Sequence, residues 1–562
     1  MTAKAASYAI VHLALVAGFW SLGELAVVSN GPTFDEAVHL AAGHSYWATG
    51  DFRLNVEDPP LPKLLWALPG LLDGSASFRP GAELWERGEE WLIGNDFLYC
   101  EVGRVERLLM PARRVNLLFG VGVVVLVGVW ARRLWASEDA GVVASALAAF
   151  DPTLVGISGV LSSDAALTFF TFLSAYCLWE YAGGLDRRWL VATGVALGLT
   201  LGSKFSAVAT VAGLLAGVAG FVTLGGSFDA SGGGTLATRL RSCLTPGVRI
   251  TILALVTLAC LYFVVRFPDW GRGLKQQLVR GATGDPHFYF LGEVSGKPSP
   301  WYFLVALLVK LPLGTLGLTV AGAARAVASR RTPSERWPLL VLPPAVFLLA
   351  VTLGGVNLGV RVALPSVPFL WLLAGGIMAP GSWTLARVLL STVGFLSVMA
   401  SAVGEFGRPL SYFNEYAPTP ADRLRLLGDS NLDWGQGLPA LKRWMREEDV
   451  PCLYLSAYGT CPPCVFGIDH VPLPGFGALE EPYPRSLPPG LAKVYVAVFG
   501  TNLQGVYLDD PHAYDFLRAR EPHTVLAGSV WVYDVTGDAD ALLRLEALAA
   551  QCRPTVTRPA RP

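Results

Sequence analysis

Apolar runs long enough to cross a bilayer recur along this chain, and a backbone in lipid must satisfy its own hydrogen bonds, so each run is committed to helix. A hydrocarbon core of about 30 Å takes about 20 apolar residues in helical form. Runs of that kind occupy 8–28, 115–130, 141–158, 165–181, 189–202, 205–224, 250–265, 301–323, 339–353, 362–377 and 385–403. They predict about eleven spans, with 189–202 and 339–353 the shortest. Charged residues make up only 15% of the 562, against roughly 25% in soluble domains. The expected fold is therefore a polytopic α-helical membrane protein. The first run is long and leads into no small-x-small cleavage site, so it reads as an anchor rather than a signal peptide. A net charge of −1 gives no footprint for nucleic acid.

Basic residues orient the spans, because short cytoplasmic loops collect Lys and Arg. Lys4, Arg132–Arg133, Arg187–Arg188, Arg239 with Arg241, Arg330–Arg331 with Arg336, and Arg387 fall in alternate loops. Those loops are predicted to be cytoplasmic, as is the N-terminus. The outside loops are then the long ones, at 30–114, 151–164 and 266–300, and an odd number of spans puts everything after Glu405 outside as well. Composition changes in that tail. Alternating apolar stretches at 452–455 and 493–498 read as strands, and 438–447 and 512–520 carry helical periodicity. Two domains follow: a transmembrane domain over 1–404 with a large outside loop at 30–114, and an α/β domain outside the cytoplasm over 405–562. The glycine-rich stretch 225–234 reads as a flexible loop and 553–562 as disordered. Cys177 and Cys260 lie in spans, where Cys packs as a small apolar residue. Cys461–Pro–Pro–Cys464 reads first as a structural disulfide, local or involving Cys452; a metal or redox role lacks a second ligand pair or a thioredoxin-like context.

Ionisable groups at a membrane boundary are costly unless solvated or employed, so each marks a candidate site. Asp35 and Glu36, in Phe34–Asp35–Glu36, could supply a general base, since adjacent like charges raise one carboxylate's pKa; they could equally be solvated loop acids. Downstream, Asp58–Pro59–Pro60–Leu61–Pro62–Lys63 holds a lone Lys on a stiffened turn, suited either to a phosphate or to snorkelling toward the interface. Arg113, Arg114 and Arg361 face outward at span ends, against the positive-inside trend. Their planar forks suit phosphate, and the alternative is ion pairing with acids of the first loop. Asp164 opens the fourth span after Ser162 and Ser163 and could cap that helix or line a site. His287 and Glu293 lie in the third outside loop. The seven His form no metal-ligand spacing, so no cofactor is firmly indicated, although carboxylates could hold Mg or Mn. The polar run 429–436 around Trp434 reads as an Asx-type turn before a helix, with sugar binding as the second reading.

The first-loop motifs resemble the polytopic GT-C glycosyltransferases, in the branch of protein O-mannosyltransferases and aminoarabinose transferases (family 39 type). Asp58 stands where that branch often has His. Leu161–Ser–Ser–Asp164–Ala is similar to its second-loop acid, and Gly202–Ser–Lys204–Phe to its Thr-Lys-aromatic segment. His287–Phe–Tyr–Phe–Leu–Gly–Glu293, Asn357–Leu–Gly–Val–Arg361, Tyr412–Phe–Asn–Glu415 and Asp429–Ser–Asn–Leu–Asp–Trp–Gly–Gln436 resemble segments of bacterial members. The resemblance implies a GT-C fold and an inverting transfer. The donor would be a polyprenyl-phosphate-linked sugar, the acceptor a hydroxyl of a protein or glycan, and the location the outer face of a bacterial inner membrane. It further implies Asp35 as base with Glu36 in support, phosphate held by Lys63, Arg113 or Arg114, and Arg361, and Asp58, Asp164, His287 and Glu293 lining the site. The competing classes are a lipid-linked sugar flippase, which would carry polar groups at mid-membrane and often inverted repeats, and a non-catalytic subunit that only binds the lipid-linked sugar.

Overall fold

Every one of these apolar runs is helical in the computed structural model, which describes residues 3–101, 103–229, 234–283, 287–329, 334–380, 384–477 and 486–552. Among the described residues, five helices are long and apolar enough to cross a membrane: Ser7–Ser29, Val105–Trp135, Leu236–Leu261, Val360–Met378 and Leu385–Gly404. Two bent pairs raise this to seven, Glu138–Ala149 with Pro152–Ser158 at 60° and Tyr302–Lys310 with Leu313–Ala328 at 106°. The chain is a multi-pass membrane protein. The shortfall against about eleven lies partly in length: Ala207–Thr223 and Pro338–Leu353 have 17 and 16 residues, short of the roughly 20 that span unaided. Segments 230–233 and 553–562 and the pair Arg330–Arg331 lie outside the described residues.

The first bend has a local cause. Asp151 caps Pro152–Ser158 by accepting from Leu154 N at 3.0 Å, and Pro152 occupies the first helical position. Burial sorts the helices. In Val360–Met378, 78% of the apolar window is inside the protein, against 17% in Leu236–Leu261 and 22% in Leu385–Gly404. The first is therefore a central element, and the other two turn most of their surface outward, as lipid-facing helices do.

The stretch 30–114 is a folded cap rather than an open loop. It contains helices Glu36–Thr49, Leu61–Trp66, Leu68–Leu72, Ala82–Arg87 and Glu90–Tyr99, then a π-helical turn Val105–Leu109 leading into Met110–Trp135. Leu40, Tyr46, Phe52, Leu64, Trp66 and Phe97 belong to its own apolar core. Gly43 permits the closest approach: a Cβ there would lie 2.1 Å from the Lys63 carbonyl oxygen.

A hairpin of β1 (Phe288–Phe290) and β2 (Glu293–Ser295) precedes a five-stranded sheet of β3 (Leu453–Ser456), β4 (His470–Pro472), β5 (Tyr495–Phe499), β6 (Thr524–Leu526) and β7 (Val530–Asp534). The sheet order is β4-β3-β5-β7-β6, with β3 parallel to β4 and β5, and β7 antiparallel to β5 and β6. The expected strands at 452–455 and 493–498 and the helix at 438–447 are present, the last as Leu438–Glu447. The expected helix at 512–520 shrinks to Asp515–Arg518, confined between Pro511 and Pro522, which resist helical continuation. None of the eight cysteines is in a disulfide, so the expected bridge is corrected: Cys461 packs into an apolar core with residues of the sheet while Cys464 is exposed.

Candidate active site

Glu36 and Arg113 form a sealed ion pair, both fully buried. Arg113 Nε and Nη2 donate to Glu36 at 2.8 and 2.5 Å, and its other donors reach the carbonyls of Val27, Asn30 and Gly31 at 2.8–2.9 Å. The guanidinium thus closes the carbonyl end of the first helix, which otherwise lacks partners. Glu36 also accepts from Thr33 N at 2.7 Å and Leu161 N at 2.8 Å. This corrects two expectations. Arg113 has no donor left for phosphate, and Glu36 is a tie between loops rather than a group facing substrate.

Asp35, at the N-terminus of Glu36–Thr49, behaves differently. It is half-buried, and its carboxylate accepts no hydrogen bond from a described residue. Its segment is held in place by Phe34 N donating to Trp434 O at 2.9 Å and Thr460 Oγ1 donating to Phe34 O at 2.8 Å. Arg361, Asp429 and the Tyr458 phenol lie within its electrostatic reach.

Asp164 is the hub opposite. It is fully buried; its carboxylate accepts from Ser162 Oγ at 3.0 Å and pairs with Lys204 Nζ at 2.7 Å and Arg361 Nη1 at 3.3 Å, while its N–H donates to Ser162 Oγ at 3.2 Å. Its two alternative roles are therefore separated: Ser162 caps the helix start, and the Asp164 carboxylate holds two cations. Arg361 Nε donates to Ser430 Oγ at 3.0 Å, and the guanidinium lies 4.3 Å from the Trp434 ring, a favourable cation–π placement. Its Nη2 has no partner among the described residues, and Lys204 has two further N–H donors. Here two cations converge with free donors, which is what a phosphate requires.

Asp58 faces the same cluster. His39 Nε2 lies 3.6 Å from its carboxylate. Burial alone would raise Asp58, but His39, Lys204 and Lys63 outweigh it and hold the pKa down at about 2. Asp58 is thus an ionised partner of His39. Lys63 is a correction: it is buried, its ammonium donates to Asn55 O, Asn55 Oδ1 and Asp58 O at 2.7, 3.1 and 2.7 Å, and burial lowers its pKa to about 8. It fixes the turn and has no proton left for a ligand. Arg114 pairs with Glu24 of the first helix at 2.5 Å and stays partly exposed. His287 and Glu293, at the β1–β2 hairpin, make no bond to this cluster, and Glu293 is exposed on β2.

Lys204 and Asp429 were not singled out as site residues. Lys204 carried the signal used for Arg361, a lone cation in an outward loop between apolar runs. Asp429 sits inside the polar run whose turn reading is correct in detail: Asp433 Oδ1 accepts from Gly435 N at 3.0 Å, an Asx turn, and the helix starts at Leu438. The same turn carries Asp429, whose carboxylate accepts from Tyr507 OH at 3.0 Å. Burial raises its pKa against the pull of Arg361. Among the described residues no three His, Cys, Asp or Glu side chains gather as metal ligands, and Asp164 is already engaged by two cations.

Residues 9–261 match the family model described as dolichyl-phosphate-mannose-protein mannosyltransferase. Over 210 residues the chain is 26% identical to dolichyl-phosphate-mannose–protein mannosyltransferase 1 of Candida albicans, covering 34% of this chain and 22% of that protein. Over 248 residues it is 30% identical to undecaprenyl phosphate-alpha-4-amino-4-deoxy-L-arabinose arabinosyl transferase 1 of Pseudomonas fluorescens, covering 42% of each. The chain thus spans from about a fifth to two fifths of the length of these relatives. A crystal structure of ArnT from Cupriavidus metallidurans in the apo state aligns with a TM-score of 0.49 at 14% identity, covering 94% of this chain and 98% of that one.

Proposed function

We infer that this chain, whose residues 9–261 match the family model described as dolichyl-phosphate-mannose-protein mannosyltransferase, is an inverting glycosyltransferase using a polyprenyl-phosphate-linked sugar. The observation that carries the reading is the pairing of an unbonded carboxylate, Asp35, with two cations, Lys204 and Arg361, that keep donors free around Asp164. The donor's phosphate lies against Lys204 and Arg361. An acceptor hydroxyl loses its proton to Asp35, and its oxygen forms a bond to the anomeric carbon. The bond from that carbon to the phosphate oxygen breaks on the opposite side, and the lipid phosphate leaves with the electron pair. Fixed cations aimed at the charge that develops on the leaving group lower the barrier without reorganisation, and holding both reactants in line supplies a further share.

The site lies at the ends of spans, which suits a donor arriving through the bilayer. With the arginine pairs on the cytoplasmic side, the site and the tail from 405 face outward, in a bacterial inner membrane. The test is transfer from an undecaprenyl-phosphate sugar by Asp35→Asn, which keeps shape but removes basicity. Turnover should fall by about 10²–10⁴-fold while undecaprenyl phosphate still binds; full turnover would remove Asp35 as the base.

A further inference from the structure

Beside Asp35 stands an aromatic wall that the transfer chemistry does not use. Phe34 stacks on Phe476 with ring centroids 5.6 Å apart and planes 4° from parallel, and it meets Tyr458 at 5.6 Å. Tyr507 closes the group at 4.9 Å from Phe476 and 6.1 Å from Tyr458. The rings come from the first loop and from the C-terminal region; Trp91 meets Phe34 edge-on at 5.2 Å and Tyr458 is buried, while Phe476 is 43% exposed. The polar end of the wall meets the site, because the Tyr507 hydroxyl donates to Asp429 at 3.0 Å and Phe34 is followed directly by Asp35.

The backbone around the wall is already engaged. Phe34 N donates to Trp434 O, Gly459 N to Phe476 O, and Phe476 N to Asn502 Oδ1 at 3.2 Å. Those main-chain groups are therefore not open to an extended peptide, which binds chiefly through main-chain hydrogen bonds. What remains on offer is the exposed side of Phe476 at the edge of this stack, with carboxylate oxygens at one rim. A pyranose presents the complement, with C–H groups of positive character for the electron-rich faces and hydroxyls that donate to carboxylates. The two acids at the rim also repel an anionic acceptor, since like charges brought together in a partly buried site are costly.

We propose that the wall formed by Phe34, Phe476, Tyr458 and Tyr507 is the acceptor subsite, and that the acceptor is a glycan presenting a pyranose ring without negative charge. The proposal rests on the transferase reading above and narrows its acceptor. The test titrates the purified full-length protein in detergent with a panel of neutral gluco-, galacto- and manno-configured oligosaccharides, a Ser/Thr-rich peptide, and undecaprenyl phosphate. We expect at least one saccharide to bind, Phe476→Ala to weaken it by about tenfold, Phe476→Trp to restore it, and undecaprenyl phosphate to bind all forms equally. Binding of the peptide with no saccharide bound, binding of neither, or saccharide affinity unmoved by Phe476→Ala would overturn the proposal. Failure of the transferase reading itself would register separately, as no sugar transfer by the unmodified protein from an undecaprenyl-phosphate sugar to any member of the panel.

Discussion

A guanidinium has five N–H donors, and the use of those donors separates Arg113 from Arg361. Arg113 directs all five to Glu36 and three backbone carbonyls, whereas Arg361 leaves Nη2 unbonded among the described residues. Replacing the two should therefore give opposite results. Arg361→Ala should weaken undecaprenyl phosphate binding by about 10- to 100-fold, the loss of a charge-assisted contact of about 1.5–3 kcal/mol, in a protein that still folds. Arg113→Met should leave the binding of whatever folds unchanged but cost about 3–5 kcal/mol, because Glu36 is left buried and uncompensated. Equilibrium binding and thermal unfolding of both variants check the pair, and weakened binding in stably folded Arg113→Met would restore Arg113 to the site. From sequence these arginines look alike, since both are outward-facing cations at span ends. What distinguishes them is the set of carbonyls that three-dimensional packing brings within reach, which residue type does not encode. The same holds for Lys63, whose three protons go to neutral oxygens of its own turn.

At the scale of elements, helix Glu36–Thr49 and the Asp58 turn are joined by His39 and Asp58. An Asp held at about 2, below its usual 3.8, binds fewer protons folded than unfolded near pH 3. Its contribution to stability is fully present above about pH 4 and is lost as pH falls toward 2. Unfolding midpoints measured from pH 4 to pH 2 should drop less steeply in Asp58→Asn than in the unmodified protein; equal slopes would show that the pair does not tie these elements. The elements themselves were largely legible, because apolar length alone dictates helix in lipid and alternation marks β3 and β5. The fold of 30–114 was not, since its helices are short and held by a shared core around Trp66 and Phe97. Asp35, Asp164 and Arg361 were legible as charges at boundaries. Trp434 was read as part of a turn, and only the approach of a remote chain segment places Arg361 over its ring.

For the whole molecule, the distribution of arginines predicts that the sheet and the site share one side of the membrane. A reporter active only in the cytoplasm, fused after Gly537, should stay silent, while activity there would reverse the sidedness of the site. The two halves of the molecule are also interlocked. Gly31 N donates to Gln436 O and Val360 N to Asn431 Oδ1, each at 2.9 Å, so the C-terminal region braces the loop that carries Asp35.

The Glu36–Arg113 clip joins positions 77 residues apart, whereas the Asp164–Arg361 contact joins positions 197 apart. During synthesis the clip can therefore close as soon as the second membrane-length helix, Val105–Trp135, emerges, fastening it to the end of the first. The cation pair waits for Arg361, and Trp434 follows later still. The order of events on the ribosome is thus built into the chain: the frame is secured early, and the groups able to grip a phosphate come together only near the end, leaving the nascent protein without a competent site until most of it exists.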